Sequence, residues 1–236
     1  MASLSEPFTN LGRLEVILAT TKIGESQVID FFSSALRDQL VNKFGSDSNY
    51  SIGNFSGSQD RKYADFFAGT KSSCILIEFK EYEHEIRDEY KKPLREKLCK
   101  NLTIKTAALS RTTHFIAHRN SSRDMDIKLA PYVDVVCPHW AIGRPPLGPV
   151  TSKTHYDFID DFLSAKEGVA MEKFFDYAGH LNSTAGGVSD GASVPFKSVL
   201  YSRNAQGRVV GTIFHSLGEL KKLINKAPNK GNSLTP

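Results

Sequence analysis

Tyr63-Ala64-Asp65-Phe66-Phe67-Ala68, then Gly69-Thr70-Lys71-Ser72-Ser73, then Cys74-Ile75-Leu76-Ile77-Glu78-Phe79-Lys80 is the stretch on which the reading of this chain turns. Two runs of β-branched and aromatic residues flank a short polar segment with a glycine, the pattern of a β-hairpin. Side chains alternate along a strand, so Glu78 and Lys80 project to one face while Ile77 and Phe79 project to the other. A strand that merely skirts solvent scatters its charges along one face. Here a single Glu-x-Lys closes a run of four apolar residues, and Asp65 sits inside the partner strand. Two carboxylates and one ammonium at the ends of adjacent strands form a small polar site suited to a hard cation and a phosphate.

Around the hairpin the chain alternates helical and extended patterns. Val28, Ile29, Phe31, Phe32, Ala35, Leu36, Leu40 and Phe44 recur near the helical period, which predicts a helix over Ser26 to Phe44 stopped by Gly45. Gly45 to Ser58 is polar and reads as a loop. Glu83 to Lys100 predicts a charged helix with Ile86, Tyr90, Leu94 and Leu98 as its buried stripe. Thr112 to His118 and Tyr132 to Cys137 read as further strands, and Leu14 to Ala19 as a short strand or helix start. The expected fold is therefore α/β, with a mixed central sheet flanked by helices.

Gly143-Arg144-Pro145-Pro146-Leu147-Gly148-Pro149 is the strongest breaker cluster and the expected boundary. It separates an α/β core over 1–142 from a C-terminal extension over 150–226 that packs on the core. The extension carries helices around Tyr156 to Ser164 and Val169 to Ala178, a flexible loop over Gly179 to Gly191, and a hairpin of Ser198 to Tyr201 with Arg208 to Phe214. A last helix runs from Ser216 to Asn225, with Ser216 as cap and Glu219 completing a capping box. A disordered tail is expected over 227–236.

Composition narrows the class. The chain has 236 residues, 40% hydrophobic and 24% charged, enough to bury a core. A net charge of +4 is compatible with a polyanionic partner without identifying one. The three cysteines, Cys74, Cys99 and Cys137, form no even-numbered framework; two of them sit in apolar runs and read as buried free thiols, which points to a reducing compartment. The chain shows no secretory pattern at Met1 to Leu14 and no apolar run of membrane-spanning length, so a cytoplasmic protein without a membrane partner is expected.

Hydrolysis of a phosphodiester needs an ion that neutralises the phosphate and activates water, and Mg²⁺ takes hard oxygen ligands, one or two of them carboxylates. Asp65 and Glu78 would supply these, with the Phe79 carbonyl as a third oxygen. Lys80, held ionised by the two acids, would orient the nucleophile and stabilise developing charge. In this pattern the chain resembles the PD-(D/E)xK nuclease superfamily, whose signature is an acid on one strand and an acid-x-Lys on the next. Asp65 matches the first acid, Glu78 the second and Lys80 the lysine, with twelve residues between Asp65 and Glu78. Ala64 stands where the family has proline. The resemblance covers roughly residues 26–137 and implies a restriction-endonuclease-like core. It also implies Mg²⁺ (or Mn²⁺) as cofactor, a nucleic-acid substrate, DNA in the first instance, and a homodimer as a common state. An acid on the preceding helix often joins the metal site in this family. Glu25 and Asp30 are the candidates, Glu25 the preferred one, and Asp60 in the loop before the strand is a rival to Asp65.

Arg87, Lys91 and Arg95 recur at four-residue spacing beside Lys92, so on one helix they would offer a basic stripe to phosphates. The alternative is a solvated face of Glu–Arg and Asp–Lys pairs. His114, His118, Cys137 and His139 make a zinc site conceivable, without any Cys-x-x-Cys to support it. The rival reading of the whole chain is a non-catalytic α/β binding or assembly protein in which Glu78 and Lys80 form a structural ion pair.

Overall fold

In a computed structural model, which describes residues 22–45, 49–121, 123–140, 150–187, 189–204 and 206–225, the helical period at the N-terminal side is realised as α1 (Glu25–Phe44). Its buried face is Val28, Ile29, Phe32, Leu36 and Leu40, and it ends at Gly45, whose φ of 66° suits a residue without a Cβ. The expected element at 14–19, the breaker cluster at 143–149 and the tail at 227–236 lie outside the described residues.

The sequence hairpin is formed by β2 (Phe66–Gly69) and β3 (Cys74–Tyr82). Ahead of it come β1 (Tyr50–Asn54), antiparallel to β2, and a short helix α2 (Ser58–Lys62). The chain then crosses over through a 3-10 segment (Glu83–Lys91), α3 (Pro93–Lys100) and α4 (Ile104–Thr113) to β4 (His114–Arg119). Such a crossover is what a parallel pair requires, and β4 runs parallel to β3. Next come β5 (Ile127–Pro131), α5 (Tyr132–Val135), β6 (Lys153–Thr154), α6 (His155–Leu163) and α7 (Met171–Thr184). The hairpin β7 (Pro195–Arg203) and β8 (Val209–Ser216) precedes α8 (Leu217–Asn225). Among the described residues all strands join one mixed sheet in the order β6-β5-β4-β3-β2-β1-β7-β8. The protein is thus α/β, with a mixed sheet of eight strands between helices.

Each face of the sheet carries its own core. On one, Phe66, Ile75, Ile77, Phe79 and Phe115 meet Val28, Phe32 and Leu36 of α1 and Phe158 and Phe162 of α6. Phe32 makes edge contacts with Phe66 and Phe79 at centroid separations of 5.6 and 5.5 Å. On the other face, Phe67, Cys74 and Leu76 meet Leu98 of α3, Phe174 and Tyr177 of α7, and Leu217 and Leu220 of α8. The C-terminal hairpin continues the sheet beside β1, so residues 195–216 belong to the same layer as the core strands.

Several expectations are corrected. Gly45 to Ser58 holds a strand: Ser51 and Ile52 are buried because β1 is paired on both sides, by β2 and β7. The helix expected over Glu83 to Lys100 is interrupted before Pro93, which lacks an N–H to continue a helix and instead starts α3. Tyr132 to Cys137 is not a strand. Tyr132, Val133 and Val136 are buried at helical spacing, and the strand lies just before them as β5. The helix expected to end at Ala178 continues as α7 to Thr184, with Leu181 and Asn182 buried, so Gly179 to Thr184 is no loop. Cys99 and Cys137 are not free thiols: they form a disulfide with a Cα separation of 5.1 Å, joining α3 to the turn after α5. Cys74 is free and buried. No helix among the described residues is long and apolar enough to cross a membrane.

Candidate functional site

The register of the hairpin assembles the acids. Phe66 pairs with Ile77 across β2 and β3, so one step outward sets Asp65 beside Glu78. Asp65 is 8% exposed, and its Oδ2 accepts the Phe79 N–H at 2.6 Å. Alternation holds along β3: Ile77 and Phe79 enter the core against α1, while Glu78 and Lys80 turn to the crossover segment. Glu25, the first residue of α1, reaches the same place, with Oε2 at 3.4 Å from Lys80 Nζ. Its position is fixed by Glu81, a buried carboxylate that accepts the N–H groups of Ile23 at 2.8 Å and Gly24 at 3.0 Å. That contact ties the start of α1 to β3.

Glu78 is fully buried and fully compensated. Its Oε1 lies 3.2 Å from Lys80 Nζ and 2.5 Å from Lys92 Nζ, and its Oε2 accepts from Arg95 at 2.9 Å. Lys80 Nζ also donates to the Phe79 carbonyl at 2.6 Å, which brings that backbone oxygen up to the ammonium. A second buried carboxylate, Glu89 of the 3-10 segment, shares the same cations, at 3.2 Å from Lys80 and 2.7 Å from Lys92. A buried charge is tolerated only when paired in this way.

The charges set one another's protonation. Burial, reinforced by the neighbouring Glu78, pushes the Asp65 carboxyl up to about 9. Burial pushes Glu78 the same way, but Arg95, Lys80 and Lys92 outweigh it and hold Glu78 well below the usual carboxylate range. For Lys80, burial favours the neutral amine, and Glu78, Glu89 and Asp65 overcome it, keeping the ammonium charged. Glu25 is raised by burial and by Glu78, against the pull of Lys80. Neighbouring carboxyls with pKa values driven apart are the usual sign of divided chemical roles.

In front of the buried Glu78 and Arg95 lies a cavity of about 340 Å³ lined by seven carboxylates (Glu25, Asp60, Asp65, Glu81, Glu85, Asp88, Glu89) and three lysines (Lys22, Lys80, Lys92). A phosphate alone would be repelled from such a cleft, whereas a divalent cation is drawn to it. Carboxylate oxygens of Asp60, Asp65 and Glu78 come within 4.8 Å of one another, a set of hard oxygen donors that fits Mg²⁺ or Mn²⁺. Asp60 therefore joins Asp65 instead of replacing it: α2 folds the loop residue back over the start of β2.

The basic stripe is not formed as expected. Because the segment is 3-10 up to Lys91 and α-helical from Pro93, Arg87, Lys91 and Arg95 do not share one continuous helical face. Arg95 is 1% exposed and is spent on Glu78 and Glu89, so it cannot meet a phosphate from solvent. Lys92 belongs to the site. Lys91 is exposed and pairs with Asp88 at 2.7 Å, and Arg87 is exposed. The histidines do not converge with Cys137. Its sulfur is bonded to Cys99, His139 stacks on Tyr90, and His118 Nδ1 lies against the Arg119 carbonyl. His114 is buried against Tyr132 and Tyr177, and burial, with Arg95 nearby, lowers it to about 3.

Glu89 and Glu81 escaped the sequence reading. A charged run after a strand offers no signal that two of its acids turn inward, except that both lie within eleven residues of the Glu-x-Lys pair. Comparison with protein-family models, with curated proteins and with solved structures finds no match to this chain.

Proposed function

We propose that the protein is a metal-dependent nuclease that hydrolyses nucleic-acid phosphodiester bonds, with DNA the first substrate to test. The observation that carries this reading is that Asp65, Lys80 and Glu25 line one acidic cleft, with the fully buried Glu78 behind it, paired to Lys80 and within 4.8 Å of the Asp60 and Asp65 oxygens. The order of elements supports it as well: α1 precedes the hairpin of β2 and β3, and helices and then β4 follow it, as the PD-(D/E)xK resemblance implies with a helix before the hairpin and a helix and strand after.

Asp65 and Glu78 would hold Mg²⁺, with Asp60 and the Phe79 carbonyl as further oxygens. The bound ion supplies phosphate neutralisation and a lowered pKa for an attacking water. Glu25 sits across Lys80 and fixes the ammonium over the cleft. Lys80, charged throughout the neutral range, orients the nucleophile and meets the negative charge that develops on the phosphoryl oxygens. Three of the acids, Glu25, Glu78 and Glu89, are balanced internally by Lys80, Lys92 and Arg95, which keeps the site folded before an ion enters.

One observation favours a second reading. Glu78 has no exposed surface and three cationic partners, as a purely structural ion-pair network would. The two readings separate on incubation of the purified chain with plasmid DNA, single-stranded DNA and RNA in Mg²⁺, Mn²⁺ or EDTA. Cleavage that requires the metal is expected. A chain that binds no divalent ion and cuts none of the three substrates is the structural protein of the second reading.

A further inference from the structure

Glu78 and Glu89 hold the same three cations. Lys80 Nζ lies 3.2 Å from an oxygen of each, and Lys92 Nζ lies 2.5 Å from Glu78 Oε1 and 2.7 Å from Glu89 Oε1. Arg95 completes the set, 2.9 Å from Glu78 Oε2 and 3.5 Å from Glu89 Oε2. Both carboxylates are 0% exposed. Their supports differ. Glu78 rides on β3 beside Asp65, whereas Glu89 belongs to the crossover, and its Oε2 accepts the Tyr132 hydroxyl at 3.0 Å. The other oxygen of Glu89, fully buried, makes no hydrogen bond of good geometry and is left to the two ammonium groups.

A carboxylate cannot serve a divalent ion and two ammonium groups on the same oxygen, because the cations repel one another at these separations. An ion taken up by Glu78 leaves Lys80 and Lys92 in need of another counter-charge, and Glu89 is already within reach of both. The geometry points to Glu89 as a positioning residue that takes over Lys80 and Lys92 when Glu78 turns to a bound divalent cation, so that Glu78 is released while Lys80 stays in the cleft. The inference rests on the nuclease reading for the use of that ion. It acts through the lysines, since Glu89 is not itself among the Asp60, Asp65 and Glu78 oxygens that converge.

The test is titration of the full chain with Mn²⁺ in the absence of nucleic acid, with free Mn²⁺ read by electron paramagnetic resonance. In Glu89→Gln both ammonium groups fall back on Glu78 and compete with the ion. Affinity then drops about 10- to 100-fold, the range seen when a residue that orients a metal ligand is lost. Lys92→Met in the Glu89→Gln background removes one competitor and restores most of the affinity, a rescue that a merely structural role does not predict. Glu96→Gln removes a charge of the same crossover that pairs with Lys100 and does not line the cavity, and leaves affinity near the wild-type value. If Glu89→Gln fails to fold, Tyr132→Phe, which frees Glu89 of its anchor, weakens Mn²⁺ binding in the same direction. Unchanged affinity in the Glu89 or Tyr132 variant, no rescue by Lys92→Met, or an equal loss in Glu96→Gln overturns the inference. A wild-type chain that takes up no Mn²⁺ overturns both this inference and the nuclease reading. One that binds Mn²⁺ but cuts nothing overturns only the latter, and the variants still decide the role of Glu89.

Discussion

Asp65 is the residue whose state is most out of the ordinary, and its protonation has a measurable consequence. Its folded pKa of about 9 stands above the ordinary value of 3.8 because burial and Glu78 both disfavour its charge. Between those two values the folded chain binds more protons than the unfolded one, so this carboxyl makes stability fall as pH rises through that window. The urea midpoint of the wild type is accordingly expected to fall between about pH 5 and about pH 8, and that of Asp65→Asn to fall less. Equal slopes for the two proteins would show that Asp65 does not carry the proton. At this scale the sequence was legible for residues whose neighbours are fixed by strand alternation and hairpin register: Asp65, Glu78 and Lys80. Glu25 was also within reach, since the helix start was readable. Glu89 and Arg95 were not, because whether a charge in a polar run turns inward depends on how the crossover packs over β3. Arg95 was read as a phosphate contact for that reason, and it is the most deeply buried cation of the cluster.

At the scale of elements, the crossover between β3 and β4 decides the site. It supplies Glu89, Lys92 and Arg95, and the Cys99–Cys137 disulfide pins its α-helix α3 to the turn beyond α5. Cys99 lies one turn beyond Arg95 on that helix, so the bond holds the guanidinium over Glu78. With the cysteines 38 positions apart in sequence, opening the loop costs about 3–4 kcal/mol by chain entropy. The double variant Cys99→Ser/Cys137→Ser is expected to lose about that much stability in urea unfolding under non-reducing conditions, and the wild type to lose it on addition of a dithiol. A stability unaffected by either change would mean that α3 is held by packing alone. Periodicity read α1, α6, the start of α7 and both hairpins. It missed β1, whose short polar sequence becomes a strand only because β2 and β7 flank it. It also joined the 3-10 segment to α3, although Pro93 marks the break, because the charge pattern runs on without interruption. The disulfide was illegible from three cysteines alone, since the partner of each is set by tertiary structure.

For the whole molecule, the α/β class and the mixed sheet followed from the alternation of helical and extended patterns, whereas the place of the C-terminal third did not. Its hairpin extends the same sheet beyond β1, and α6 and α7 cover opposite faces. The result is a sheet with an acidic cleft where β2, β3 and the start of α1 meet, on a chain whose net charge is +4. The central claim is that Asp65, Glu78 and Lys80 act together as a metal-dependent cleaving centre. Glu78→Gln tests it most directly, because it keeps the shape of the side chain and removes the charge, where alanine would also leave a cavity around Arg95. Cleavage of plasmid DNA in Mg²⁺ is to be measured for wild type and Glu78→Gln, with folding of both checked by circular dichroism. The account predicts a folded variant whose cleavage rate falls by at least about 100-fold. A folded Glu78→Gln that cuts at the wild-type rate would contradict it.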